Sequence, residues 1–268
     1  MIKHFLHIIA WLTLTPLLLS CEQQTNWDLQ SGGEFLVADC IITNEMKYHE
    51  MRLYRSADRL NQSPEGFSGV TVQLSDGSIS VSFGEDNEEP GRYVSAVPFM
   101  ASAGKLYQLT LSFNGRSDTA YAIMTGVSPL EAIDIVASDG IYRFIYHQST
   151  PASMTEVYYN WSADSQYCEQ YGACQAAEVY YSLDNIDMSK EFAPDKQVIL
   201  FPRKTMIIRR KYSLSEDHQQ FIRSLLLETE WRGGLFDVEQ GNVPTNFHHG
   251  VRGWFAACSV VSDTTFFE

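Results

Sequence analysis

The chain has 268 residues, with 19 Lys and Arg against 33 Asp and Glu and a formal net charge of −14. So acidic a surface repels phosphate backbones and anionic lipid, which argues against nucleic acid or a charged membrane surface as the ligand. Hydrophobic residues at 44% supply a large core, and 14 Tyr with 15 Phe favour strands over helices.

Residues 1–20 hold a short charged start at Lys3, an apolar run from Phe5 to Leu19 interrupted by Pro16, and Ser20 just before Cys21. The run falls short of the roughly 20 residues that cross a bilayer, so it reads as a secretory signal peptide. Leu18-Leu19-Ser20-Cys21 resembles the bacterial lipobox, which implies a lipid on Cys21 and a polar tether over residues 21–33. A lipidated cysteine carries several acyl chains, enough for stable anchoring. Removing residues 1–20 takes away Lys3 and no acid, leaving 18 basic against 33 acidic residues, a net −15.

Short alternating runs then follow: Leu36 to Thr43, Met51 to Arg55, Val70 to Leu74, Ile79 to Phe83, Lys105 to Phe113 and Thr119 to Met124. Asp76-Gly77 and Asn114-Gly115 sit between such runs, and both accept the positive φ that tight hairpins need. Residues 34–126 are therefore expected to form an immunoglobulin-like or prealbumin-like β-sandwich of about seven strands.

Ser128-Pro129 marks a connection, and residues 127–268 read as a second, β-rich domain. Its expected strands are Ile141 to His147, Thr155 to Trp161, Ala177 to Leu183, Gln197 to Leu200 and Thr205 to Tyr212. One amphipathic helix follows: Ser213-x-x-Glu216 has capping-box spacing, Phe221, Ile222, Leu225 and Leu226 recur at helical intervals, and Gly233-Gly234 ends it. A last strand, Gly253 to Val261, is expected to return to the same sheet, and the fold class is all-β.

Four cysteines follow Cys21. Cys168 and Cys174 flank a short polar segment containing Gly172, where a loop-closing disulfide is expected, since no His lies near enough for a metal site. Cys40 and Cys258 sit in apolar runs and read as small core residues.

Several pieces in this order resemble the Bacteroidota outer-membrane lipoproteins described as domain of unknown function 4249. They are the lipobox ending at Cys21, Leu36-Val-Ala-Asp-Cys-Ile-Ile-Thr-Asn44, Leu53-x-Arg55-Ser56, Gly69-Val-Thr-Val-x-Leu-Ser-Asp-Gly77 and Gly104-Lys-Leu-Tyr-Gln-Leu-Thr110. Towards the end come Tyr212-Ser-Leu-Ser-Glu216, Gly234-Leu-Phe-Asp237 and Val251-Arg-Gly-Trp-Phe-Ala-Ala-Cys-Ser-Val260. The resemblance implies outer-membrane location and an accessory role beside a TonB-dependent β-barrel, and Glu22-Gln23-Gln24 after Cys21, a partial match to the acidic tails that resemble surface-export signals, favours the cell surface over the periplasmic face. The chain departs from the family pattern at Cys40 and Cys258, which leaves a bond between those two as an alternative.

No motif points to catalysis. G-x-S-x-G does not occur, and an acid pair for glycoside hydrolysis would be invisible among so many carboxylates. His248-His249 adjoin, but neighbours on an extended segment point opposite ways, so no metal site is expected, and no cofactor. The run Glu85-Asp86-Asn87-Glu88-Glu89 lacks the ligand spacing of a Ca²⁺ loop and reads as a solvated hairpin connection. Arg203-Lys204 and Arg209-Arg210-Lys211 read as solvent-facing charges on an edge strand, with an acidic partner as the functional alternative. Trp161, Tyr167 and Tyr171 form the favoured contact for a ligand or partner, because exposed aromatics anchor both. The expected function is non-catalytic binding, with a structural or adhesive surface role second and a hydrolase third; the ligand's identity is not written in the sequence.

Overall fold

In the computed structural model, residues 35–57, 62–138, 140–185, 188–191, 193, 198–232 and 243–268 are described. The signal segment, Cys21, the tether, Gly233-Gly234 and Gly234-Leu-Phe-Asp237 lie outside the described residues.

Period-two burial builds the first sheet. In β1 (Leu36–Thr43), Leu36, Ala38, Cys40 and Ile42 are at most 4% exposed and share one face. The strands β2 (Glu50–Arg55), β5 (Arg92–Ser95), β4 (Ser80–Glu85), β3 (Thr71–Ser75), β6 (Leu106–Phe113) and β7 (Arg116–Ile123) follow it across the sheet. On the other side of β1, β13 (Arg252–Cys258) pairs in parallel. The two ends of this eight-stranded sheet come together, because Thr125 bridges Cys258 and Ala120 bridges Phe247. The sheet thus wraps one core containing Met51, Leu53, Val72, Leu74, Tyr93, Leu109, Leu111 and Phe255. The class is all-β, as expected, and the first half is a β-sandwich.

Both predicted hairpins form. Gly77 has φ +83°, and the Asp76 carboxylate accepts the Ser78 and Ile79 amides at 2.9 and 2.8 Å. Asn114 and Gly115 have φ 49° and 71°, so both central residues of that turn are left-handed. The acidic run is the β4–β5 connection, where Asp86 accepts the Glu88 amide. Strand β5 has no counterpart in the sequence reading. It follows Gly91, whose φ is +81° and whose added Cβ would lie 2.4 Å from the Leu53 carbonyl, so a close backbone fit to β2 places it.

The second sheet is antiparallel, ordered β11 (Gln175–Ser182), β10 (Ser153–Asn160), β12 (Thr205–Ser213), β14 (Val260–Phe267). A hairpin of β8 (Ile135–Ser138) and β9 (Ile141–Phe144) packs on it, and Tyr142, Phe144, Val157, Tyr159, Phe201 and Ile207 share a core. Val198–Leu200 form no strand; only Phe201 bridges Tyr142.

The last apolar run does not return whole to the second sheet. It divides after Cys258: β13 completes the first sheet and β14 edges the second. The hinge is a hydroxyl node: the Ser259 amide donates to the Ser213 hydroxyl at 2.9 Å, and both hydroxyls donate to the Thr125 carbonyl at 2.8 and 2.7 Å. Residues 34–268 form one unit, and a strand from the second half of the chain closes the sheet of the first.

The described helices are α1 (Ser165–Tyr171), α2 (Met188–Glu191) and α3 (Glu216–Glu228). The cap of α3 is Ser215, which accepts the His218 amide at 3.3 Å, and not Ser213, whose hydroxyl is taken by Thr125. Helix α3 buries His218, Ile222, Leu226 and Leu227, while Leu225 turns outward.

Candidate partner-docking surface

The residue after β1 and the residue after β5 lead into two segments, 44–49 and 96–101, that pair with each other. Lys47 and Phe99 exchange backbone hydrogen bonds of 3.3 and 3.1 Å, and the Ala101 amide donates to the Thr43 carbonyl at 3.0 Å. His49, 0% exposed, locks the pair from beneath. Its amide donates to the Ser95 hydroxyl, its Nε2 donates to the Phe99 carbonyl at 3.0 Å, and its ring lies 4.3 Å from that of Phe99. Burial lowers the pKa of this imidazole, keeping it neutral against the core.

The residues flanking the bridge face outward. Met46 is 65% exposed, Tyr48 56%, Val97 52% and Met100 54%. In the antiparallel register Met46 lies across from Met100, and Tyr48 lies across from Pro98, next to Val97 in the chain. Charged residues at the margin are engaged with one another: Glu45 with Lys47 and Arg210, Glu50 with Arg92, and Arg52 with Glu89. The result is an uncharged apolar platform on a strongly acidic protein. Large apolar side chains exposed together are a mark of interaction sites on soluble proteins.

The aromatic residues singled out from sequence are used differently. Trp161 is 4% exposed and donates its indole N–H to the Ala173 carbonyl at 2.8 Å. Tyr167 meets Trp161 edge to face and donates its hydroxyl to the Leu200 carbonyl at 3.0 Å. The segment expected to be a loop contains α1, capped by Asp164 and ended by Gly172 in the left-handed region, and Cys168 and Cys174 are disulfide-bonded across it. Trp161 and Tyr167 therefore pin this clip to the second core. Tyr171 ends α1, and its side chain is outside the described residues.

Cys40 and Cys258 are both free and buried. Cys40 lies opposite Phe255 and Cys258 opposite Thr43, an offset of three residues that separates them by about 10 Å and turns them to opposite faces. Cys258 instead sits 3.8 Å from Nδ1 of His218. Burial pushes the thiol up to about 12 and the imidazole down to about 4, so both are neutral, the reverse of the thiolate that cysteine nucleophiles require. The backbone amides of His248 and His249 donate to buried Asp118 at 2.9 and 2.8 Å, which fixes their loop. No group of three or more metal-binding side chains is found among the described residues.

The basic stretch departs most from expectation. Strand β12 is internal, between β10 and β14, and Arg209 and Lys211 are 5% and 0% exposed. Arg209 forms a two-point pair with Asp263, Lys211 binds Glu131, and Arg210 binds Glu45. The neutralising carboxylates lie far away in sequence, so an edge strand facing solvent was the simpler reading of the residues.

A family model described as "Domain of unknown function (DUF4249)" matches residues 22–264. No curated protein matches the chain. Among solved structures, the chain is similar to the FN1–FN3 domains of chicken CNTN1, with a TM-score of 0.25 and 12% identity over 65% of this chain. It covers 59% of that structure, and so low a score carries no argument here.

Proposed function

The chain belongs to the family described as domain of unknown function (DUF4249), and on that premise we propose that it is an outer-membrane lipoprotein, anchored through Cys21, that works without catalysis by docking a partner protein. The partner is a β-barrel of the TonB-dependent kind, contacted through one short apolar loop, and the joint task is nutrient uptake at the cell surface.

The platform of Met46, Tyr48, Val97 and Met100 carries this reading. Methionine side chains adapt to an apolar partner without requiring matched charges. The neutralised margin suits an uncharged loop. The platform also lies beyond Thr43, at the opposite end of β1 from Leu36, where the tether joins. At about 3.3 Å per residue, β1 separates the two ends by roughly 25 Å.

A photoreactive residue at Tyr48 or Val97 tests the reading in intact cells. Crosslinking to an outer-membrane barrel is expected; crosslinking to lipid alone contradicts docking. Labelling with a radioactive fatty acid, lost in Cys21→Ala, tests the anchor separately. Protease shaving of intact cells tests surface display, which uncut protein would contradict.

A further inference from the structure

The seam that closes the first sheet, between β7 and β13, is interrupted. The Met124 amide donates to the Lys105 carbonyl at 3.1 Å, so by alternation Tyr121 and Ile123 turn their backbone groups away from β6 and towards β13. The Tyr121 carbonyl accepts the Asn246 side-chain amide at 3.0 Å. The same side chain takes both backbone groups of Phe255, donating to its carbonyl at 2.8 Å and accepting its amide at 3.0 Å. One asparagine thus fills the place of a ladder rung. Ile123, next along β7, has no such substitute: among the described residues none bonds its N–H or C=O. The bridges Ala120–Phe247 and Thr125–Cys258 bound the gap on either side.

The gap opens into a cleft of about 270 Å³ whose two walls differ in chemistry. On the β7 side stand Tyr121 and Ile123, 43% and 48% exposed, and Leu106, across from Ile123 and 56% exposed, continues this apolar rail beyond the cleft. On the other side stand Asp217 and Gln220, three residues apart and so on one face of α3. Asp217 makes no ion pair among the described residues, and no Lys or Arg lines the cleft. An open donor and acceptor on one residue, an apolar rail and a lone carboxylate therefore share one small space. Such a donor and acceptor match the N–H and C=O of another peptide unit, as at any unpaired strand edge.

We propose that this cleft binds an extended peptide segment carrying a basic side chain, one residue of which pairs its backbone with Ile123 while the Lys or Arg reaches Asp217. Because bridges close the seam above and below, a single residue enters the gap and not a whole strand. Main-chain hydrogen bonds supply affinity in this mode, and the side-chain contacts supply selection. Alternate residues of an extended segment share a face, so the peptide that fits carries its basic residue two positions from an apolar one, the first against Asp217 and the second against Tyr121 and Ile123. The excess of acidic residues over the whole chain draws a basic peptide in and repels an acidic one. None of Met46, Tyr48, Val97 and Met100 lines this cleft, so it is a second site, separate from the docking platform.

The test titrates the full chain, in an uncharged detergent, with the blocked tripeptide acetyl-Lys-Ala-Val-amide and with its acidic counterpart acetyl-Glu-Ala-Val-amide, following the backbone amide resonance of Ile123. A saturable shift at Ile123 with the lysine peptide, and none with the glutamate peptide, is expected. Asp217 is exposed in the first turn of α3, where Asn is also accommodated, so Asp217→Asn leaves the fold intact. It is expected to weaken the lysine peptide about tenfold, the loss of one charged hydrogen bond. Absence of a saturable shift overturns the proposal, as does equal binding of the two peptides or an affinity unchanged by Asp217→Asn. Butylammonium alone serves as the control: a bare amine that binds as tightly as the peptide would show an amine site and overturn the peptide reading. Pull-down of a barrel partner is expected to be the same for Asp217→Asn and the natural chain, so failure here and failure of the docking function are separable.

Discussion

Nζ of Lys211, which is wholly buried, lies 2.7 Å from a carboxylate oxygen of Glu131, and its remaining contacts are the Ser128 hydroxyl at 2.8 Å and the Pro129 carbonyl at 3.0 Å. The segment that links the two sheets is thereby fastened to the central strand of the second. Glu131 keeps 36% side-chain exposure and Lys211 none, so the two partners are not equivalent. Glu131→Gln strands a buried ammonium and is expected to cost about 3–5 kcal/mol. Lys211→Met leaves a carboxylate that can rehydrate and is expected to cost about 1–2 kcal/mol. Urea unfolding of both variants checks the order, and equal losses would refute the asymmetry.

His218 gives the fold an acid limit. Burial depresses its pKa to about 4, against an ordinary value near 6.5, so the unfolded chain binds this proton more readily than the folded one. The stabilising contribution is complete above about pH 6.5 and is lost as pH falls through about 4. The difference is on the order of 3 kcal/mol. His218 stacks on Trp254 and touches Cys258, an apolar setting that accepts Phe. His218→Phe is therefore expected to flatten the pH 4–6.5 limb of the stability profile, read from thermal midpoints. An unchanged slope would show that the limb belongs to carboxylates.

Gly253 is fixed by close approach. Its φ is +91°, and an added Cβ would lie 2.1 Å from the Ala38 carbonyl. Gly253→Ala must shift β13 away from β1 and is expected to cost more than about 3 kcal/mol, combining a strained backbone with a clash. Loss of amide protection in both β1 and β13 is the accompanying signature.

The clip around α1 is local. Replacing Cys168 and Cys174 by Ser opens a short loop, and the chain-entropy account puts the loss near 2 kcal/mol. Amide exchange should accelerate over Ser165–Tyr171 while the first sheet stays protected. Acceleration throughout the first sheet would contradict this independence.

What the sequence revealed was local chemistry. Asp76-Gly77 and Asn114-Gly115 announce their hairpins because a positive φ depends on those residues alone. The alternation in Leu36 to Thr43 likewise reports a strand with one buried face. The readings that failed depend on residues far apart in the chain. The Ser213 hydroxyl is taken by Thr125, 88 residues away, so the cap passes to Ser215. Arg209 and Lys211 look like surface charges until Asp263 and Glu131 reach them.

The docking platform was illegible for the same reason. Met46 and Met100 become neighbours only when Lys47 bridges Phe99. One signal was present: Met46, Tyr48, Val97 and Met100 are large apolar residues in segments that carry no strand periodicity, where side chains seldom find a core. Trp161 misled because its aromatic neighbours suggest a sticky loop, whereas a helix cap, a left-handed glycine and a disulfide fold them inward.

The most direct measurement is a mild-detergent pull-down of the lipidated protein from its native membrane, comparing the natural chain with a Met46→Glu, Met100→Glu double variant. Both positions are more than half exposed, so the variant is expected to fold normally, which circular dichroism would verify. The account predicts that a TonB-dependent barrel comes down with the natural chain and not with the variant. Equal recovery of the barrel with both, or recovery of the natural chain alone or as a polymer of itself, would contradict it.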